Sequence, residues 1–288
     1  MNYEQFVLAM MECVKGMLPE SAIVERQEVL KNNGVKAIGI SIRENGNTAA
    51  PIIYLKEFYD WYREGISIEE LASDLIDYGR TVPEIPLWDY RKMSDFEQIK
   101  DLVVYKLINA DKNQELLKTV PNLPLLDFAV IFYVMIPVDE CENCSMLIKN
   151  EHMYNWKLPI SLLYHYAKTN TQRLCPYVIK PLAEVVNQQF AIPLPDSPLI
   201  MLSNETGVNG ASVLLYPEVP NLIFDYVGKN YYLLPSSIHE FLIVPEEEGI
   251  NPLNLKEIVR EVNENHLEQE EFLSDSIYYF DGNIITKM

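Results

Sequence analysis

Positive charge is scarce in this chain: 23 Lys and Arg stand against 42 Asp and Glu, a formal charge of −19 over 288 residues. Binding to a phosphate backbone depends chiefly on Lys and Arg displacing counterions, so this balance argues against nucleic acid as a partner. It argues equally against docking on an anionic membrane surface. Cysteine is scarce as well. Cys13, Cys141, Cys144 and Cys175 are too few and too scattered for a disulfide scaffold, and a cytoplasmic protein is expected. Long hydrophobic runs are missing. The longest, Phe128 to Ile136, covers nine residues before Pro137 ends it, well short of the roughly 20 that a membrane helix needs, and it reads as a buried strand. The opening Met1-Asn2-Tyr3-Glu4-Gln5-Phe6 puts no basic stretch before an apolar one, so no secretory signal is expected.

What is present is the composition of a folded globule, 48 % hydrophobic and 11 % aromatic. A chain of this length buries enough surface to hold a core without disulfide or metal. Tyr3, Phe6, Val7, Met10, Val14, Met17 and Leu18 recur at helical spacing and predict an amphipathic first helix, stopped by Pro19. Ile23 to Lys31, the pair Asn33-Gly34 and the alternating Ile38, Ile40 and Ile42 predict a β-hairpin. Asn45-Gly46 is a second turn signal, followed by a short strand from Pro51 to Leu55. Ser67 and Glu70 make a capping box before an apolar helical face. Leu102 to Ile108 and Phe128 to Ile136 predict strands, with Met146-Leu147-Ile148 pairing back on the second.

Pro159 and Pro181 open further helices, and Gly228 closes one that follows Pro217. Leu199 to Leu202, Ala211 to Tyr216, Tyr231 to Leu234 and Phe241 to Val244 are expected as strands. Asn254 and Glu257 cap a last helix, and Asp281-Gly282 turns a terminal hairpin. Hairpins and helices without regular βαβ alternation predict an α+β fold, with antiparallel or mixed sheets packed by amphipathic helices. The expected division is an N-terminal lobe over 1–150 and a C-terminal lobe over 151–288, or one continuous domain.

Several segments occur in order along nearly the whole chain: Ala50-Pro51-Ile52-Ile53-Tyr54-Leu55, Leu214-Leu215-Tyr216-Pro217, Leu234-Pro235-Ser236-Ser237-Ile238-His239-Glu240 and Leu273-Ser274-Asp275-Ser276-Ile277-Tyr278-Tyr279. Together with Lys31 to Val35, Ser41 to Glu44 and Val104 to Asn109, this series resembles an uncharacterised bacterial family, found mainly in gut clostridia and known as a domain of unknown function. The resemblance implies no activity. The Cys141–Cys144 pair is not part of the family's pattern.

Three features bear on chemistry. Cys141-Glu142-Asn143-Cys144 has the spacing of half a zinc knuckle, yet a second pair is missing, and Asp139, Glu140 and Glu142 would hold the thiol pKa up. No cofactor or metal is expected. Ser236-Ser237-Ile238-His239-Glu240 gathers a hydroxyl, an imidazole and a carboxylate, the raw material of a nucleophilic site if they converge. Neighbouring residues on an extended strand point to opposite faces, which opposes that convergence. Between Pro245 and Asp275, ten acidic residues stand against Lys256 and Arg260, a net charge of −8. The expectation is a non-catalytic binding protein that takes a basic protein or peptide on Glu264, Glu268 and Glu271, with tyrosines contributing to the surface. The alternative is a hydrolase built on Ser236, Ser237, His239 and Glu240.

Overall fold

The computed structural model describes residues 1–43, 52–81, 90–136, 145–190 and 198–288. The expected turn at Asn45-Gly46 and the Cys141–Cys144 pair lie outside the described residues. The chain forms two compact units, one containing the described residues up to 81 and the other those from 90 onward.

In the first unit α1 (Tyr3–Met17) is capped by Asn2, whose side chain accepts the Gln5 N–H at 2.9 Å. It buries Phe6, Val7, Met10 and Val14. Strands β1 (Ile23–Leu30) and β2 (Lys36–Arg43) pair antiparallel, with Leu30 opposite Lys36. Asn33 and Gly34 both take positive φ, 58° and 73°, the backbone that an Asn-Gly hairpin turn supplies. β3 (Ile52–Tyr54) adds to β2, and α2 (Lys56–Arg63) and α3 (Ile68–Thr81) complete the unit. Leu71, Ala72, Leu75 and Ile76 of α3 share one core with α1 and Ile40. The helix α2 is an element the sequence reading does not contain.

The second unit holds two further sheets. One takes the order β4 (Val103–Asn109), β6 (Phe128–Met135), β5 (Asn122–Leu125), with β7 (Ser145–Leu147) also paired to β6. Short helices α4 (Phe96–Ile99), α5 (Gln114–Leu117) and α6 (Asn150–Trp156) flank it. Phe128 to Val134 are all buried, as a strand covered on both faces should be. Helix α7 (Ile160–Leu174) closes the free edge of β4: the Tyr105 N–H donates to Thr171 Oγ1 at 3.1 Å, and Asn170 Nδ2 donates to the Val103 carbonyl at 3.0 Å. Polar side chains thus satisfy an edge that would otherwise bury unpaired backbone groups.

The last sheet combines β8 (Tyr177–Pro181), β9 (Ile200–Asn204), β10 (Tyr231–Ser237), β11 (Glu240–Pro245), β12 (Tyr278–Phe280) and β13 (Ile285–Lys287) in the order β13-β12-β10-β11-β9-β8. Helices α8 (Leu182–Phe190), α9 (Val219–Val227) and α10 (Pro252–Asn265) accompany it. Val259 of α10 packs with Tyr232, Leu234, Val244 and Ile277. At the Asp281-Gly282 turn the aspartate carboxylate accepts the N–H groups of Asn283 and Ile284, both at 2.9 Å. Every strand pairing among the described residues is antiparallel, so the fold is α+β.

Two expectations are corrected. Gly210–Leu215 is a 3-10 helix rather than a strand from Ala211 to Tyr216. A short apolar run carries no period that separates a buried strand from a buried helical turn, and here Ser212 Oγ bonds back to the Asn209 carbonyl at 2.5 Å. The cap of α10 is Asn251, which accepts the Leu253 N–H at 3.0 Å and leaves Pro252 in the first turn; Asn254 lies inside the helix.

The turn between β5 and β6 carries Asp127, whose side chain is 13 % exposed. Its carboxylate accepts from the Tyr278 hydroxyl at 2.6 Å and the Ser274 hydroxyl at 2.8 Å, and Lys287 Nζ lies 3.0 Å away. Burial alone would raise the Asp127 pKa, but these bonds outweigh it and hold the group below the usual carboxylate value. A depressed folded-state pKa contributes stability that is present above the unfolded value and lost as pH falls through the folded one. Asp127→Asn is therefore expected to cost roughly 1–3 kcal/mol at pH 7. In urea titrations, the difference between wild type and variant should shrink as the pH is lowered through the carboxylate range. A difference independent of pH would contradict this reading.

Candidate functional site

Ser236 to Glu240 forms the tip of the β10–β11 hairpin. Ser237 faces Glu240 across the ladder, Ile238 and His239 make the turn, and a bulge at Ser236 breaks the register after Pro235. The bulge turns Ser236 toward Glu240, and its Oγ donates to Glu240 Oε1 at 3.1 Å. Ser237 Oγ accepts the backbone N–H of His239 at 2.9 Å. Neither serine hydroxyl is bonded to the imidazole.

Three other segments grip the tip. Ser203 Oγ at the end of β9 donates to the His239 carbonyl at 2.8 Å. The Ala211 N–H, in the 3-10 helix, donates to the Ile238 carbonyl at 3.2 Å. Glu271, at the end of the short 3-10 turn Gln269–Glu271, accepts the Ile238 N–H on its own carbonyl at 2.8 Å. Its carboxylate Oε1 lies 3.7 Å from His239 Nε2. The imidazole is completed by the loop after β9: the Asn209 N–H donates to Nδ1 at 3.1 Å. A nitrogen that accepts this bond carries no proton, so the proton of the neutral ring sits on Nε2 and faces Glu271.

The loop that delivers Asn209 is shaped by its own sequence. Asn204 Nδ2 donates to the Val208 carbonyl at 2.9 Å, and the Thr206 hydroxyl donates to Asn204 Oδ1 at 3.0 Å. Gly207 and Asn209 take φ of 67° and 53°, accessible to Gly and Asn at low cost. Gly210 follows where a Cβ would run into Ser203 Oγ and the His239 carbonyl and come within 2.8 Å of the Asn204 nitrogen. Close backbone approach explains this glycine. Gly210→Ala should destabilise the protein by about 1–3 kcal/mol, the ordinary cost of overpacking. The comparison is Gly16→Ala in α1, where a Cβ meets nothing within 4 Å and helix propensity favours alanine by roughly 0.8–1.0 kcal/mol. Urea midpoints moving in the same direction for both would contradict the geometry.

Of the other candidate residues, Glu271 joins this cluster. Glu264 on α10 and Glu268 beyond it are exposed, whereas Glu271 is half-buried against His239. His152 stacks on Trp156 at 5.5 Å and its Nδ1 accepts the Lys149 N–H at 3.0 Å, a capping and packing role. Among the described residues no group of three or more His, Cys, Asp or Glu is placed to hold a metal. Two surface hollows of about 540 and 550 Å³ are lined by residues such as Tyr59, Tyr62 and Ile66, and Met153, Tyr154 and Leu158; neither includes Ser236, Ser237, His239 or Glu240.

Sequence reasoning does not find Asn209 as the partner of His239, or Lys106. Lys106 is a β4 lysine with no acidic partner among the described residues, and its Nζ lies 5.9 Å from the centre of the Tyr133 ring. Burial holds its pKa below the usual lysine value. The unfolded chain then binds more protons over the interval between the two pKa values, so this group makes stability rise with pH there. Lys106→Met should be neutral or stabilising at pH 7 and should flatten that rise, measured by urea unfolding between pH 7 and 10.

The antiparallel sheets, with their polar-capped edge and gripped hairpin tip, define an α+β protein. The chain belongs to the family of unknown function DUF5688, whose model matches residues 3–282. No curated protein and no solved structure matches it. No helix among the described residues is long and apolar enough to cross a membrane.

Proposed function

We propose that the protein is a non-catalytic cytoplasmic binding protein that takes a basic, amphipathic protein segment along helix α10. One observation carries this reading. Ile258 and Val262, one helical turn apart, are 52 % and 39 % exposed beside the exposed carboxylates Glu257, Glu261 and Glu264. None of those three glutamates has a salt-bridge partner among the described residues. Apolar side chains flanked by unpaired like charge suit a partner helix that is apolar on one side and rich in Lys and Arg on its margins. Glu268 extends the acidic surface past the helix end. Glu271 contributes less to it, because its carboxylate is committed to His239.

A hydrolase acting through His239 is the second reading, supported by the carboxylate 3.7 Å from Nε2. A general base needs a free nitrogen directed at the nucleophile. Here Nδ1 is occupied by the Asn209 N–H and Nε2 faces Glu271, while both serine hydroxyls bond elsewhere.

The two readings separate in one experiment. Partners captured from cell extract should dissociate as salt rises from 0.1 to 1 M, where the screening length falls from about 10 to about 3 Å. Changing Glu257, Glu261 and Glu264 to Gln should weaken capture at low salt, and Ile258→Ala should weaken it at every salt concentration. Ser237→Ala should leave capture intact. Capture unaffected by the glutamine variant, together with ester or peptide hydrolysis lost in Ser237→Ala, would favour the hydrolase.

A further inference from the structure

We propose that His239 is a proton-operated latch on the loop from Asn204 to Gly210. The imidazole stands between two groups that want opposite protonation states. The Asn209 N–H requires a bare lone pair on Nδ1, and the bond at 3.1 Å exists only with the neutral ring. The Glu271 carboxylate, 3.7 Å from Nε2, favours the imidazolium. Proton uptake occurs at Nδ1, the unprotonated nitrogen, and sets an N–H against the Asn209 N–H. The loop bond is lost and the ion pair to Glu271 is strengthened. One ligand, the proton, therefore binds the unlatched state better than the latched one and shifts the population toward it as pH falls.

The other contacts of the tip keep their form through this change. Ser203 Oγ to the His239 carbonyl and the Ala211 N–H to the Ile238 carbonyl involve no titrating atom, so the hairpin and the loop base stay joined. The change is confined to the Asn209 N–H, because Asn204 Nδ2 still holds the Val208 carbonyl and Ser212 Oγ the Asn209 carbonyl. The ring faces the Glu271 carboxylate of the 3-10 turn; Glu240 is next along the hairpin and accepts from Ser236 Oγ, and the phenol of Tyr133 on β6 meets the Asn209 side chain. Burial pushes the Tyr133 phenol up, so it stays neutral. Among ordinary side chains, histidine is the one that changes charge between pH 5 and 8. Glu271 also fixes the Ile238 N–H through its backbone, which keeps its carboxylate in place for the imidazolium.

Amide hydrogen exchange on the full chain, corrected for the intrinsic pH dependence of exchange, tests the latch. Protection of the Asn209 amide should fall about tenfold between pH 7.5 and 5.5, the worth of one net hydrogen bond, while the Ala211 amide keeps its protection. His239→Gln should show no such transition, and Glu271→Gln should move it to lower pH. An independent readout on the unaltered protein is the nitrogen chemical shift of the ring, which should place the proton on Nε2 at pH 7.5. Constant Asn209 protection across this range, the same fall in His239→Gln, or a proton on Nδ1 at pH 7.5 would overturn the proposal.

Discussion

Asp127 places a negative charge beneath the surface, and groups from separate parts of the second unit converge on it: Ser274, Tyr278 and Lys287 by side chain. Leaving a buried carboxylate without such partners costs several kcal/mol, so the charge dictates where the chain after α10 must run. Its backbone is used as well, since the Ala110 N–H donates to the Asp127 carbonyl at 3.0 Å. Asn109 next to it donates to the Leu273 carbonyl at 2.9 Å. One turn between β5 and β6 thereby fixes the segment from Leu273 to Tyr278, and with it β12, the neighbour of β10. Leu126 in that turn takes φ of 53°, a backbone unfavourable for leucine, which the surrounding bonds over-determine.

The same logic runs on to the hairpin tip. β12 pairs with β10, Tyr231 and Phe280 meet at 5.1 Å between ring centres, and Tyr232 meets Tyr279 at the same distance. β10 carries Ser237 into a turn gripped from β9, from the 3-10 helix and from Glu271. Groups that look like chemistry in the sequence are consumed as structure there: two hydroxyls and a carboxylate are bonded locally, and the imidazole joins two segments. The outward side of α10 exposes Ile258 and Val262, and its inward side is fixed by Val259 on the sheet.

Much of this architecture is legible in the sequence, for identifiable reasons. Helix α1, the Asn33-Gly34 hairpin, the Asp281-Gly282 turn and the pairing of β7 on β6 carry local signals, either a period or a turn residue, and need no tertiary information. Helix α2 escapes because it is only eight residues long and its inward face is the aromatic set Phe58, Tyr59 and Tyr62 rather than an aliphatic stripe. The 3-10 helix escapes because its burial comes from every side. At the hairpin tip, strand alternation opposes convergence of both His239 and Glu240 on Ser237, and the Ser237 hydroxyl accepts the His239 backbone N–H. The roles of Asn209 and Glu271 escape, because these residues lie 30 and 32 positions from His239 and only the fold brings them together. The tyrosines mislead in part: Tyr105, Tyr216, Tyr231 and Tyr278 are fully buried core residues, whereas Tyr154 and Tyr226 are exposed.

The most direct measurement of the central claim is zero-length cross-linking in intact cells, joining carboxylates of this protein to amines of whatever is bound, followed by mass spectrometry. A partner seated on α10 should be joined through Glu257, Glu261 or Glu264 to lysines of an amphipathic basic segment. Cross-links from other carboxylates alone, with the α10 glutamates unmodified by any partner, would contradict the account.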